Sequence, residues 1–393
     1  MSKNALAEEF LQGLRCVAGS ATRPVPLHQP EFSGNEWDYV RDCLDTGWVS
    51  SVGKYVDEFE SRLARYTGAR HAIAVVNGTA ALHAALVGAG VGRDDEVLVP
   101  ALSFVATANA VSQCGAVPHF VDSAEATLGL DPAALKSHLA HVAEPAAGRL
   151  RNKLTGRRLA AIVPMHTFGH PVDMAALLTV AGQFGIPIIE DAAESLGSFI
   201  GDRHTGTFGL LGTLSFNGNK VITTGGGGAI LTDDPAVARH LKHLTTTAKR
   251  PHPWEFFHDA VAWNYRMPNL NAALGCAQLE RLPGMLARKR SLAMNYRAAF
   301  GASSKLRFVV EPEGCRSNYW LNSVVLADPS MMLRDTLLAA ANEEGFQCRP
   351  AWTLMHRLPM YADCPRAPLP VAERLEAALI NLPSSPNLLQ EAT

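Results

Sequence analysis

The feature that most limits the fold lies between about residues 70 and 235, where short apolar runs rich in β-branched residues alternate with helical patterns. The runs are HAIAVV, DEVLVP, AVPHFVD, LAAIVPM, IPIIED, GTLSFN and AILTD. Runs this short and this apolar suit strands buried on both faces, and the helical stretches between them supply the crossovers that parallel neighbours need. The alternation predicts an α/β domain around a mainly parallel sheet. Open sheets of that kind carry their ligand crevice at the carboxyl ends of the strands, so chemistry-bearing residues are expected there.

The flanks read differently. Residues 1–35 are expected as an N-terminal arm with three prolines from Pro24 to Pro30, 36–275 as the large α/β domain and 276–393 as a smaller C-terminal α+β domain. KYVDEFESRLARYTG places Val56, Phe59, Leu63 and Tyr66 near helical spacing, with Gly68 beyond the end. In the C-terminal third, CAQLERL and ARKRSLAMNYRAAF are expected as helices interrupted near Pro283 and Gly284, NYWLNSVVL as a strand, and SMMLRDTLLAAANEEG as a helix ended by Gly345. AEPAAGRLRNKLTGRR is expected as an exposed connection.

Composition excludes whole classes of function. Lys plus Arg (35) nearly balances Asp plus Glu (37), so nothing global recommends a nucleic acid or an acidic membrane as partner. The seven cysteines are odd in number and lack a CxxC pair, which argues against a disulfide framework and a zinc knuckle. No stretch approaches the roughly twenty apolar residues of a membrane span, and acidic residues stand near the N-terminus where a secretory signal has its apolar core, so a cytoplasmic protein is expected. His166 and His170 are four apart, but Pro164 and Gly169 argue against a helical metal pair, and no metal is expected.

Three stretches could carry chemistry. In VVNGTAALHAAL a strand turns through Asn77 and Gly78 into a helix beginning near Thr79, which aims free backbone N–H groups at an incoming anion. In IPIIEDAAESLGS, Asp191 ends an apolar strand beside Glu190 and ahead of Glu194. An aspartate there either holds a ring nitrogen protonated or caps the next helix. In SFNGNKVITTGGGG, a strand delivers Ser215 and then Lys220 to a loop that precedes four glycines. Neither the phosphate-binding loop GxxxxGK[ST] nor the dinucleotide pattern GxGxxG is present. Lys220 is therefore a candidate amine in a confined pocket, and the glycines leave room for a backbone or a bound ring to approach.

Together NGTAAL, the P-x-x-S-F run Pro100 to Phe104, EDAAES and SFNGNK resemble the DegT/DnrJ/StrS family of nucleotide-sugar aminotransferases, from about Pro26 to about Pro383. GWVSSVGKYV, VPMHTFGHP, AKRPHPWEF and NYRMPNLNAALGCAQLE look most like its LegC-like branch. The resemblance implies the fold type I architecture of aspartate aminotransferase and the cofactor pyridoxal 5'-phosphate (PLP). It implies Lys220 as the covalent attachment point, Asp191 at the pyridine nitrogen, and Glu194, where much of the family has Gln, near the phenolic oxygen. Gly78, Thr79 and Ser215 would hold the phosphate, with Asn264 reaching over from the partner of a homodimer, and Phe104 would stack on the ring. Lys54 (from the partner), His166 and Arg266 either line the sugar site or form structural ion pairs.

The implied reaction is ping-pong transfer of an amino group from L-glutamate to C4 of a UDP-4-keto-6-deoxy-N-acetylhexosamine, as for bacillosamine or legionaminic acid. A GDP- or dTDP-linked keto sugar and a non-catalytic PLP-binding regulator are the alternatives.

Overall fold

The computed structural model describes residues 3–20, 24–146 and 148–389. Parts of the expected arm (1–2 and 21–23) and the last residues of the smaller domain (390–393) lie outside the described residues.

All seven apolar runs form strands. The four-stranded sheet runs in the order His71–Val75, Gly228–Thr232, Leu211–Ser215, Ile189–Asp191. The three-stranded one runs Val117–Val121, Glu96–Pro100, Leu159–Ile162. Parallel bridges Ile162 to Ile188 and Met165 to Asp191 join the two into one sheet. Within it only Gly228–Thr232 runs antiparallel to its neighbours. Strands such as Glu96–Pro100 are buried at every position because helices cover both faces, which is why they read as continuous apolar runs rather than alternating ones.

The helix Lys54–Thr67 buries Val56, Phe59 and Leu63, and Gly68 caps it in the left-handed conformation (φ 78°). It crosses the helix Asn269–Phe300 closely because Gly275 has no Cβ; one built there would lie 2.6 Å from Phe59 Cε2. Phe59→Ala would cost about 3–5 kcal/mol at this crossing.

Two expectations need correction. Asn269–Phe300 is one helix of 32 residues with Pro283 inside it, not two interrupted at Pro283. An interior proline costs about 3 kcal/mol, but Cys276, Leu282, Met285 and Leu292 on either side of it are buried, and that burial holds the helix together. The boundary expected at 275/276 thus falls inside a helix. AEPAAGRLRNKLTGRR is the largely exposed connection expected, and part of it folds as a β-hairpin, Ala143–Ala146 with Arg149–Asn152. The expected arm begins with a docked helix, Lys3–Ala18, whose Leu6, Phe10, Leu11 and Leu14 are buried. Gly13 lets it sit on Phe300, and Arg15 pairs with Glu344.

The C-terminal region is α+β: strands Leu306–Phe308, Asn322–Leu326, Leu379–Leu382 and Arg349–Pro350 form an antiparallel sheet. Helices Met331–Glu343 and Pro370–Ala378 accompany it. Lys289 ties the long helix to this sheet, its fully buried Nζ donating to Trp320 O at 3.2 Å and Ser384 O at 2.6 Å. Among the described residues all seven cysteines are free, and no helix is long and apolar enough to cross a membrane.

Candidate active site

A cavity of about 670 Å³ opens at the carboxyl ends of the sheet strands, between the large sheet and the C-terminal region. Its walls include Gly78, Thr79, Phe104, Asp191, Glu194, Ser215 and Lys220, so residues far apart in the chain converge as expected.

One end is the N-terminus of the helix Gly78–Gly88. The Asn77 side chain caps Ala80 N at 2.8 Å, and helix geometry leaves the N–H groups of Gly78 and Thr79 without an intrahelical acceptor. Ser215 stands beside them at the end of its strand. A Cβ on Gly78 would lie 2.8 Å from Ser215 Cβ, so a larger residue would push apart the hydroxyl and the N–H pair that together form an anion cradle.

The glycine run serves this cradle, and of the two approaches it was expected to admit, a backbone or a bound ring, the backbone is the one observed. None of Gly225–Gly228 lines the cavity. Gly228 pairs with both Val75 and Ser215, and a Cβ there would lie 2.6 Å from the carbonyl of Asn77 and 2.8 Å from Gly78 N. Gly227 is confined by Thr224 and Met267, while Gly225 adopts φ 79°. The run closes the loop that carries Lys220, with Phe216 N bonded to Gly227 O at 2.8 Å.

Asp191 is buried at its strand end, where Thr107 Oγ1 donates to Oδ2 (2.7 Å) and Ala193 N to Oδ1 (3.2 Å). Burial raises its pKa above the usual carboxylate value, against those two hydrogen bonds. A cationic ring nitrogen is the partner that such a carboxylate lacks.

Lys220 Nζ lies 3.3 Å from Glu194 Oε1 and 3.9 Å from the centroid of the Trp320 ring, whose Nε1 donates to Asn219 O and so fixes the loop. Glu194 accepts a second hydrogen bond from Phe168 N at 2.9 Å. Phe168 offers that N–H from a left-handed backbone (φ 55°), a conformation costly for a bulky residue. Burial pushes the Glu194 carboxyl up to about 7 despite Lys220, so near neutral pH it can hold a proton.

The cavity does not gather every expected residue. His166 is fully buried on the far side of the strand: its Nδ1 accepts from Val172 N (3.1 Å), leaving Nε2–H to donate to Glu190 (3.0 Å). Both nitrogens are used, so the expectation that His166 lines the sugar site is corrected in favour of the structural pair. Lys54 is exposed and 2.9 Å from Asp42. Asn264 is exposed and bridges Thr246 by its backbone, and Arg266 bridges Val75. None of these three reaches the chain's own cavity.

The C-terminal wall was missed: Trp320, Arg349, Trp352 and Asn381 line it, as does His28 from the expected arm. Tryptophan is scarce enough to have been a signal; nothing in the local pattern marked the others. Among the described residues no three His, Cys, Asp or Glu side chains group as a metal site.

A confined lysine, a strand-end aspartate and an anion cradle on a mainly parallel sheet together define a PLP enzyme of fold type I, and the donor set fits that cofactor. The chain belongs to the DegT/DnrJ/EryC1/StrS aminotransferase family, whose model matches residues 30–393. It is a PLP-dependent sugar aminotransferase. It is 37% identical over 369 residues to GDP-perosamine synthase of Caulobacter vibrioides, covering 93% of this chain and 94% of that one. To GDP-perosamine synthase of Vibrio cholerae it is 35% identical over 371 residues, covering 93% and 95%. Among solved structures, the aminotransferase TlmJ of Streptoalloteichus hindustanus superposes with a TM-score of 0.83 at 28% identity, covering 94% of this chain and 95% of that one.

Proposed function

We propose that the enzyme moves an amino group from L-glutamate to the keto carbon, C4, of a GDP-linked 4-keto-6-deoxy sugar. The observation that carries this reading is the convergence of Lys220, Asp191 and the Gly78–Thr79 cradle in one cavity. Relatives named GDP-perosamine synthase favour a GDP-linked sugar over the UDP-linked one that resemblance to the LegC-like branch implies.

Bound PLP supplies the electron sink that makes the Cα proton of an amino acid removable. Gly78, Thr79 and Ser215 would hold its phosphate, Phe104 would face its ring, Asp191 would keep its ring nitrogen protonated, and Glu194 would serve its phenolic oxygen. Lys220 would be its attachment point, and the Lys220 amine would take the proton from the donor's Cα and, with the second substrate, deliver one to the sugar carbon that receives the amine. Lys220→Ala should lose both the visible absorbance of the cofactor linkage and turnover; a variant keeping both would sink the assignment.

The active unit in this reading is a cytoplasmic homodimer. Trp254 (76% exposed), Phe256 (80%) and Val261 (95%) project from one loop, and Trp37, Trp48 and Val52 are also exposed. Apolar surface of this extent suits a second copy, which would bring its Asn264, Lys54 and Arg266 to the first chain's cavity. Mixing inactive Lys220→Ala with inactive Asn264→Ala protein should restore activity, because mixed dimers would contain one intact site. Two independent monomers would restore none.

A further inference from the structure

The cavity contains an imidazole that the chemistry above does not use. His28 lies in PVPLHQPEF, and both its ring nitrogens are shielded from water without a hydrogen-bond partner. Its place is fixed on both sides. Val25 N donates to Gly345 O (2.8 Å), Ser384 N to Leu27 O (2.7 Å), and Gln29 N to Ser385 Oγ (2.9 Å). Ser384 is in turn held by Lys289 Nζ and by Asn322 N, which donates to its Oγ at 2.8 Å. A ring on a backbone so firmly stitched cannot easily turn away to find water.

Burial, then the nearby Lys289 and Lys220 amines, hold this imidazole well below its ordinary range, so it is neutral. A neutral imidazole offers one donor and one acceptor. Leaving both unused while shielded from water is costly, and buried polar groups normally have partners. A ligand group that can either give or take a hydrogen bond suits whichever nitrogen faces it, and a sugar hydroxyl does both. An ammonium or a carboxylate does only one. Asn381, Arg349 and Trp320 line the same cavity.

We propose that His28 is a substrate contact, hydrogen-bonded through one ring nitrogen to a hydroxyl of the sugar ring that carries the keto group. This rests on the keto-sugar reading above. It assigns sugar recognition to a segment outside the sheet.

The test compares holoenzyme carrying His28, His28→Ala and His28→Gln, with kcat/KM measured separately for L-glutamate and for a GDP-linked 4-keto-6-deoxyhexose. His28→Ala should lower kcat/KM for the sugar by roughly 10- to 100-fold and leave that for glutamate nearly unchanged. His28→Gln, which keeps a donor and an acceptor, should recover part of the loss. Calorimetric titration with the GDP-linked amino sugar product should show weaker binding to His28→Ala, whereas binding of GDP alone should not change. Equal losses for both substrates, or no loss for either, would overturn the assignment. The wild type reads the functional reading separately. If it fails to aminate the keto sugar, that reading and the His28 contact fall together; if it succeeds while the variants match it, the contact falls alone.

Discussion

Glu190 and Asp191 are consecutive residues on one buried strand end, and the fold treats them in opposite ways. Glu190 receives four hydrogen bonds, from His166 Nε2 (3.0 Å) and the backbone N–H groups of Gly206 (2.8 Å), Phe208 (2.6 Å) and Gly209 (2.7 Å). Burial alone would raise its pKa, but His166 and these N–H groups hold it below the ordinary value. Asp191, facing the cavity, receives two and is left with its pKa raised. Strand alternation sends neighbouring side chains to opposite faces, so one carboxylate locks the loop at 206–209 while the other waits for a cation. A carboxylate satisfied by its own chain is structural; one left short of donors is available to a ligand.

Substitutions at the two positions should therefore dissociate activity from stability. Asp191→Asn should lower kcat by about 10²- to 10³-fold, with little change in Tm, because only a ligand's positive charge loses its partner. Glu190→Gln should do the reverse, costing about 2–4 kcal/mol of stability in denaturant titration, while kcat per folded molecule stays close to wild type. If Glu190→Gln lost activity without losing stability, the division of labour between the two faces would be wrong.

The glycine run offers a smaller contrast of the same kind. Gly228→Ala should destabilise by about 1–3 kcal/mol and weaken PLP retention, read by dialysis and absorbance, since its Cβ would press on the Asn77–Gly78 backbone. Gly226→Ala meets only Val76 O at 3.7 Å and should stay within about 0.5 kcal/mol of wild type.

The smallest effect concerns pH. Glu194 has a folded pKa of about 7, above its ordinary 4.5, so between those values the folded state binds more protons than the unfolded chain. Its contribution to stability is then present below about pH 4.5 and lost as pH rises through about 7. Glu190, with a lowered pKa, contributes in the opposite sense: its stabilisation is present above the ordinary value and lost as pH falls. Unfolding of the cofactor-free protein between pH 5 and 8, as a range of about three units, should show Glu194→Gln removing a decline that the wild type has. An unchanged slope would mean that Lys220 keeps Glu194 ionised throughout.

The legibility of the chain divides along a similar line. The strands were visible because burial on both faces leaves an unbroken apolar run, and Asp191, Ser215 and the Gly78–Thr79 turn were visible because they sit at the ends of such runs. Pro283 misled because the signal of a helix break is local, whereas the burial that overrides it comes from contacts distant in sequence. His166 misled for a related reason: only the packed fold shows that both of its nitrogens are occupied.

By itself the sequence determined the order of strands and helices and which residues stand where strands meet loops, since period and turn chemistry are properties of neighbouring residues. Which strand-end carboxylate is satisfied, which backbone each glycine admits and which imidazoles are left without a hydrogen-bond partner were decided by the tertiary structure alone. Hydrogen bonds and close contacts of that kind join positions hundreds of residues apart, as Gln29 N and Ser385 Oγ do, and no local pattern encodes them.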